Sequence, residues 1–134
     1  MEYKATQIHL KIDWSEMDLF GHVNNVAYFK YIQAARVNYC ESVGINTFDA
    51  NTKQSFAVAN STCDFKQPLY YPEIIGVTTT IEWIKNSSFK LTHAIYNSKN
   101  NLVATASDVI VLFDYATHLK INISESIKIK MQQT

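Results

Sequence analysis

Apolar and polar residues alternate over residues 7–14, near the start of the chain. An alternation with a period of two predicts a β-strand with one buried face. Its apolar side consists of Ile8, Leu10, Ile12 and Trp14. Polar residues and Gly21 interrupt the pattern over residues 15–25, so a loop is expected there.

The stretch over residues 26–43 predicts one long helix, because it contains no Gly or Pro and repeats apolar residues at helical spacing. Gly44 follows at the place of a left-handed C-terminal cap. One apolar stripe consists of Val26, Phe29, Ile32, Tyr39 and Val43. The remaining helix surface is covered mostly by Ala27, Tyr28, Tyr31, Ala34, Ala35, Val37 and Cys40. A helix that is apolar nearly all round is expected to be buried on all sides.

Four more segments with strand character follow the helix: 54–66, 76–85, 88–97 and 102–115. Short turns join the later ones, which favours antiparallel pairing. Residues 124–131 predict a short helix that Ser124 can cap. The expected fold is α+β, with a curved antiparallel sheet of about five strands around one long central apolar helix, in a single domain over residues 1–134. Because the sheet leaves its other face and its edges uncovered, we expect a homodimer.

Composition narrows the class of protein. The chain has 134 residues and carries 12 basic and 12 acidic side chains, so no net positive charge attracts nucleic acid or anionic lipid. No apolar run approaches the roughly 18 residues of a membrane span, and the start of the chain lacks a signal-peptide core. Cys40 and Cys63 are too few for a disulfide framework, so two reduced, buried thiols and a cytoplasmic location are expected.

Several residues that could take part in binding or catalysis cluster just before the helix: Asp18, Gly21, His22, Asn24 and Asn25. The N–H groups of a first helical turn have no internal acceptor and can polarise a carbonyl oxygen. A carboxylate beside such a carbonyl suits acyl transfer, as a nucleophile or as a base for water. Gly21 would permit a close approach of a ligand or a positive φ.

The same residues also fit a purely structural role. Asn24 or Asn25 can cap the helix, Asp18 can form an Asx turn, and His22 can be an ordinary loop residue. A metal site on Asp18 and His22 is a third alternative, but it lacks a third ligand nearby.

The segment Asp-Leu-Phe-Gly-His-Val-Asn-Asn over residues 18–25 resembles the hotdog-fold thioesterases of the 4-hydroxybenzoyl-CoA thioesterase family. The segments over residues 65–73 and 82–89 resemble the strand with its proline turn and the later hairpin of that family. The similarity covers roughly residues 8–115. Further matching positions are Tyr28, Tyr31, Ala35, Arg36 and Tyr39.

The resemblance implies a role for each residue of the motif. Asp18 matches the acidic residue that acts on the thioester, and Asn25 lies where a backbone N–H polarises the thioester carbonyl. His22 and Asn24 match active-site positions of related acyl-carrier thioesterases. Glu16 stands where many relatives have an Asp, and a structural role is expected for it.

The resemblance also implies a binding surface for the substrate. The residues expected there are Gly21, Val23, Tyr28, Lys85, Ser87, Ser88 and Lys90. Lys85 and Lys90 lie near the tip of a predicted hairpin and suit the phosphates of coenzyme A, although a solvated turn explains them equally. The acyl chain is expected to run along the helix between subunits, past Tyr28, Phe29 and Ile32. The resemblance also implies that the assembly is either a homodimer or a homotetramer, because proteins of this family stack their dimers in more than one way.

Two further side chains are expected to be structural. Arg36 lies on a helix that is predicted to be buried, so it needs an acidic partner. The candidate partners are Glu41, Glu16 and Asp64. His93 lies on the apolar face of its strand and is expected to be a hydrogen-bonded core residue.

The expected function is that of an acyl-CoA thioesterase, which hydrolyses the thioester to the free acid and coenzyme A without a metal or other cofactor. Two alternatives remain open: a thioesterase for acyl groups on acyl-carrier protein, and a non-catalytic acyl-CoA-binding protein with the same fold. The presence of Asp18 argues against the second, since a pure binder needs no carboxylate at the thioester.

Overall fold

The computed structural model describes residues 2–133. The strands are β1 (Thr6–Lys11), β2 (Gln54–Phe65), β3 (Ile74–Ile84), β4 (Ser88–Tyr96), β5 (Leu102–Asp114) and β6 (Leu119–Lys120). The helices are α1 (Asn25–Ser42) and α2 (Glu125–Met131). The strands form one antiparallel sheet in the order β1-β3-β4-β5-β2, and the short β6 pairs with β5. None of these helices is long and apolar enough to cross a membrane.

Helix α1 packs against one face of the curved sheet, which confirms the predicted fold class. The alternation of side chains along β3, β4 and β5 directs every second residue towards the helix. The N-terminal half of α1 packs into one apolar cluster with Ile75, Val77 and Ile95. Its C-terminal half packs into a second cluster with Phe89 and Leu91, which also contains Met131 of α2.

The first strand is shorter than its alternation predicts. Strand β1 ends at Lys11, and Asp13 caps a single 3₁₀ turn over residues Trp14–Glu16 through a capping box with Glu16. Ile12 is buried, but Trp14 is 71% exposed. The prediction of a strand over residues 7–14 was wrong at its end, because the local hydrogen bonds of Asp13 compete with the strand ladder.

Helix α1 begins at Asn25 because the side chain of Asn24 accepts a hydrogen bond from the N–H of Ala27 at 2.9 Å. Gly44 has φ +88°, as expected for a left-handed cap. The prediction that the helix is buried on all sides was wrong for the single chain, because one sheet covers one side of a helix. The buried residues are Ala27, Tyr28, Tyr31, Ile32, Ala35, Tyr39 and Cys40, whereas Val26 is 74% exposed.

A buried polar network connects α1 to the centre of the sheet. Asp108 is fully buried and accepts hydrogen bonds from Arg36 Nε at 3.0 Å, Ser61 Oγ at 2.7 Å and His93 Nε2 at 2.8 Å. Thr79 Oγ1 lies 2.8 Å from the other ring nitrogen of His93. Burial alone would raise the pKa of Asp108, but the bonds from His93, Arg36 and Ser61 hold this pKa below its ordinary value.

This network confirms the structural role of His93 and corrects the partner of Arg36. The partners expected from the sequence were Glu41, Glu16 and Asp64, yet the guanidinium binds Asp108. Asp108 lies on the helix-facing side of β5, where Arg36 can reach it from the helix above. Both thiols are free, but only Cys40 is buried, and Cys63 is half-buried because β2 is an edge strand.

Candidate active site

The loop between β1 and α1 folds into a miniature hairpin that carries Asp18. Met17 and Val23 form an isolated β-bridge, and the N–H of Asp18 donates to the carbonyl of His22 at 2.6 Å. Gly21 has φ +84°, a conformation that residues with a Cβ adopt rarely. Gly21 is therefore required by the turn, which is the second of the two roles expected for it.

The carboxylate of Asp18 uses one oxygen to hold this turn. Oδ1 accepts hydrogen bonds from the N–H groups of Phe20 at 2.8 Å and His22 at 3.0 Å. This is the Asx turn that the structural alternative predicted. Within residues 2–133, no donor binds Oδ2, and the side chain is exposed. A carboxylate held by one oxygen and open at the other is oriented and still able to react.

Glu16 anchors the loop to α1 from the buried side. Its Oε1 accepts from the Tyr31 hydroxyl at 2.7 Å and from the N–H of Asp13 at 2.9 Å, and its Oε2 binds Lys30 Nζ at 2.8 Å. Its backbone carbonyl accepts from the N–H of Asn24 at 2.9 Å. Burial acts to raise the pKa of Glu16, but the bonds from Lys30, Asp13 and Tyr31 lower this pKa overall.

The first turn of α1 presents donors beside Asp18. The side-chain oxygen of Asn24, a predicted site residue, is occupied because it accepts the hydrogen bond from the N–H of Ala27. The N–H of Asn25 has no acceptor in the part of the chain that the structure describes. This N–H points out of the positive end of the helix dipole and can bind the oxygen of a carbonyl or an oxyanion.

The opposite wall of the site comes from the segment after β2. The N–H of Val23 donates to the carbonyl of Leu69 at 2.9 Å, and His22 pairs with Tyr70 through a bridge and an edge-on ring contact with centroids 5.2 Å apart. The ring of Tyr28 meets Phe65 edge-on at 4.9 Å. These contacts enclose a cleft of about 260 Å³. It is lined by Asp18, His22, Val23, Asn25, Tyr28, Phe65, Lys66, Gln67 and Pro68.

The cleft brings together five of the predicted site residues: Asp18, His22, Val23, Asn25 and Tyr28. Of the side chains expected along the acyl chain, Tyr28 lines the cleft, Phe29 is partly exposed, and Ile32 is fully buried in the core. The described residues contain no group of three His, Cys, Asp or Glu side chains suited to a metal ion.

The predicted hairpin residues lie elsewhere in the chain. The carbonyls of Asn86 and Ser87 accept from the N–H groups of Ile123 and Leu112, which belong to the apolar cluster at the C-terminal half of α1. Asp18 lies at the N-terminal end of this helix, which is about 27 Å long at 1.5 Å per residue. The hairpin and Asp18 are therefore at opposite ends of one chain. This applies to Lys85, Ser87, Ser88 and Lys90 alike.

Two hairpin lysines already have partners. Lys90 Nζ forms an ion pair with Glu82 at 3.0 Å, and Lys85 Nζ lies 4.6 Å from the centre of the Trp83 ring. The Lys85 ammonium stays exposed and remains able to bind an anion.

The wall formed by Phe65, Lys66, Gln67 and Pro68 was not among the predicted site residues. The available signal was Pro68 directly after a predicted strand, in a segment that already resembled the family. The hydrogen bond from the Tyr28 hydroxyl to the carbonyl of Gln67, at 3.4 Å, joins residues 39 apart in sequence and leaves no local pattern.

Comparisons with known proteins agree with this fold. The sequence profile of the Thioesterase-like superfamily matches residues 12–131. The chain is 21% identical over 128 residues to the long-chain acyl-CoA thioesterase FadM of Escherichia coli, covering 95% of this chain and 97% of that protein. It is 30% identical over 95 residues to the acyl-acyl carrier protein thioesterase ATL3 of Arabidopsis thaliana, covering 70% of this chain and only half of that protein.

A solved structure shows the same fold. The DHNA-CoA thioesterase from Staphylococcus aureus superposes with a TM-score of 0.81 at 21% identity, over 88% of this chain and 80% of that chain. The resemblance inferred from the motif is thereby confirmed: the chain belongs to the thioesterase-like superfamily and has the hotdog fold.

Proposed function

We propose that this protein hydrolyses acyl-CoA thioesters to the free acid and coenzyme A. One observation carries the proposal: a carboxylate oxygen of Asp18 and the N–H of Asn25, both without a hydrogen-bond partner in the described chain, line one cleft. The superfamily match and the similarity to an acyl-CoA thioesterase support thioester cleavage as the reaction.

The arrangement suits thioester hydrolysis in which one group polarises the carbonyl and another promotes attack on its carbon. The thioester oxygen would bind the N–H of Asn25, where the helix dipole stabilises the negative charge that develops on it. Asp18 Oδ2 would take a proton from water, or attack the carbonyl carbon itself to give an anhydride that water then cleaves. On either route the C–S bond breaks, water supplies the new carboxyl oxygen, and the thiolate of coenzyme A takes up a proton.

If the Lys85 hairpin contributes to substrate binding, the complete site must contain residues of two chains, because the hairpin and Asp18 lie at opposite ends of one chain. Strand β2 is a twelve-residue edge strand, and an exposed edge of this length is suited to antiparallel pairing with its copy. A two-fold axis at this edge would bring Lys85, Ser87 and Ser88 of the second copy towards Asp18. We therefore propose a homodimer in which the hairpin of one subunit binds the phosphates of coenzyme A at the site of the other.

The test is free-thiol release from short, medium, long and aromatic acyl-CoAs by the wild type and Asp18→Asn. We expect the variant to lose roughly 100-fold or more in rate, because the amide keeps the size but cannot act as a base or a nucleophile. The matched control is Glu125→Gln, which removes an exposed carboxylate from the first turn of α2 and should keep the wild-type rate. Equal rates for wild type and Asp18→Asn would exclude the proposed site.

The same assay tests two accompanying proposals. We expect no dependence on a metal or other cofactor, since a carboxylate and backbone donors supply the required groups; a loss of activity in EDTA would contradict this. Two free thiols favour a reducing compartment, so we propose a cytoplasmic location, which fluorescence of a tagged protein can check.

A thioesterase for acyl-carrier protein is the second candidate function. It is favoured by the 30% identity to ATL3, although the chain spans only half of that protein. Faster release of acyl groups from acyl-carrier protein than from coenzyme A would select this alternative. Binding of acyl-CoA without hydrolysis of either substrate would select the non-catalytic one.

A further inference from the structure

A second cavity, of about 310 Å³, lies at the start of β2, where the loop between α1 and β2 meets the end of β5. Its apolar lining consists of Phe48, Ala50 and Tyr115, and its two charged residues, Asp49 and Lys53, have opposite signs. Phe48 is 87% exposed and Tyr115 is 47% exposed. The cavity therefore offers two aromatic side chains without a net charge, which suits an uncharged apolar group.

The loop that carries Phe48 is anchored by hydrogen bonds of Asn46. The side-chain amide of Asn46 donates to the carbonyl of Asp49 at 2.8 Å, and its oxygen accepts from the N–H of the same residue at 2.9 Å. Tyr115 is fixed as well, because its hydroxyl donates to the carbonyl of Phe56 at 2.8 Å. The two aromatic side chains of the cavity are thus presented to solvent by an anchored part of the chain.

The proposed pairing of β2 with its copy brings this cavity to the Asp18 cleft of the second subunit. In an antiparallel pair centred on the middle of the twelve-residue strand, Gln54 of one copy lies opposite Phe65 of the other, with Cα atoms about 5 Å apart. Gln54 lines the cavity and Phe65 lines the cleft. A register shifted by two residues would place Gln54 opposite Cys63 or Gln67, which still leaves the cavity beside the cleft.

The cavity and the cleft also lie on the same side of the paired sheet. Antiparallel pairing of identical edge strands requires a two-fold axis perpendicular to the sheet, so both copies of α1 lie on one side of it. The cleft contains Asn25, the first residue of α1, and the cavity is formed by the loop that follows this helix. The cavity of one subunit therefore continues the cleft of the other.

We propose that this cavity is the acyl-binding subsite of the active site in the second subunit, where Phe48 and Tyr115 contact the acyl group. The proposal rests on the proposed function and on the homodimer through β2. The acyl group begins at the thioester and enters the cavity beside the cleft. The phosphates of coenzyme A lie at the far end of its long pantetheine arm and can reach the Lys85 hairpin, which β5 separates from β2.

The first experiment compares kcat/KM for acetyl-, hexanoyl- and benzoyl-CoA between the wild type and Phe48→Ala. We expect about a tenfold loss for hexanoyl- and benzoyl-CoA, mainly through KM, and a change of less than about twofold for acetyl-CoA, because an acetyl group is too short to reach the ring. The matched control is Ile129→Ala, which removes an exposed apolar side chain from α2 and should leave all three values unchanged.

Co-expression shows which subunit supplies Phe48. If Phe48 acts on the site of the other subunit, a dimer of one Asp18→Asn chain and one Phe48→Ala chain has one fully intact site. Half of randomly formed dimers are mixed, so this pair of variants should give about a quarter of the wild-type activity on benzoyl-CoA. If Phe48 acted within its own subunit, every site would carry one substitution, and the activity would be about a twentieth, the average of the two variants alone.

The proposal is overturned if Phe48→Ala changes the hydrolysis of acetyl- and benzoyl-CoA equally, or if the mixed dimers show no recovery. The proposed function fails on a different result, namely a wild-type rate for Asp18→Asn. Binding then still tests the subsite, through calorimetric titration with S-benzyl- and S-ethyl-coenzyme A, thioethers that cannot be hydrolysed. Phe48→Ala should bind the benzyl compound about tenfold more weakly than the wild type and the ethyl compound equally well.

Discussion

Glu16 is the residue that ties the Asp18 loop to the central helix. Three donors converge on its carboxylate, and one of them, the hydroxyl of Tyr31, is itself buried. Burial and the neighbouring carboxylate both raise the pKa of Tyr31, so its hydroxyl stays protonated and remains a donor. The position of Asp18 relative to the N–H of Asn25 therefore depends on a bond that neither residue makes.

We predict that Tyr31→Phe lowers kcat for acyl-CoA about tenfold, because loss of this bond lets the loop shift away from the position required for reaction. Tyr39→Phe is the control: its buried hydroxyl donates to the carbonyl of Lys4 at 2.9 Å, away from the site. Each variant should lose about 1 kcal/mol in the free energy of unfolding. Equal kcat values for the two variants would show that Tyr31 contributes to stability alone.

At the scale of elements, the features that could be predicted from the sequence are those that depend on residues close together in the chain. Helix α1, the Gly44 cap and the Ser124 cap of α2 depend on contacts within a few residues, and the sequence shows them directly. The Asx turn of Asp18 and the cap of Asn24 are equally local. Asp108 was missed because it lies 72 residues from Arg36, and only the register of the sheet brings the two together.

The Asp108 network predicts how the packing of α1 on the sheet depends on pH. The pKa of Asp108 is lowered in the folded state, so its contribution to stability is complete above the ordinary carboxyl pKa of 3.8 and is lost as the pH falls through the lower, folded value. Asp108→Asn leaves Arg36 without a buried counter-charge and should cost roughly 3–5 kcal/mol at neutral pH.

Urea unfolding of the wild type and Asp108→Asn at several pH values measures this difference. We expect the difference in free energy of unfolding to be constant near neutral pH and to shrink below about pH 4. Asp64→Asn, at an exposed position of β2, should match the wild type throughout. If the difference in free energy of unfolding between wild type and Asp108→Asn stayed constant down to the lowest pH, the role given to the ionised Asp108 would be contradicted.

At the scale of the whole molecule, Asp18 and the Lys85 hairpin of the same chain lie at opposite ends of α1. If each site takes Asp18 from one subunit and Lys85 from the other, two impaired chains can complement each other. Co-expression of Asp18→Asn with Lys85→Glu should give about a quarter of the wild-type activity, because half of randomly formed dimers are mixed and each of these has one intact site.

The control for complementation is Asp18→Asn co-expressed with Tyr31→Phe, whose two lesions fall in the same half of the site. The activity of this mixture should not exceed the average of the activities of the two variants expressed alone. Activity of the Lys85→Glu mixture that also equals the average of its parents would place the whole site within one chain.

In the turn around Asp18, the position of the carboxylate and the nature of the exposed side chains are set independently of each other. Its hydrogen bonds come from the backbone N–H groups of Phe20 and His22, so they do not depend on which side chains stand there. Leu19 and Phe20, next to Asp18 in the turn, are 91% and 83% exposed. Evolution can therefore exchange these two exposed side chains, and so change the surface around the cleft, while the carboxylate keeps its position.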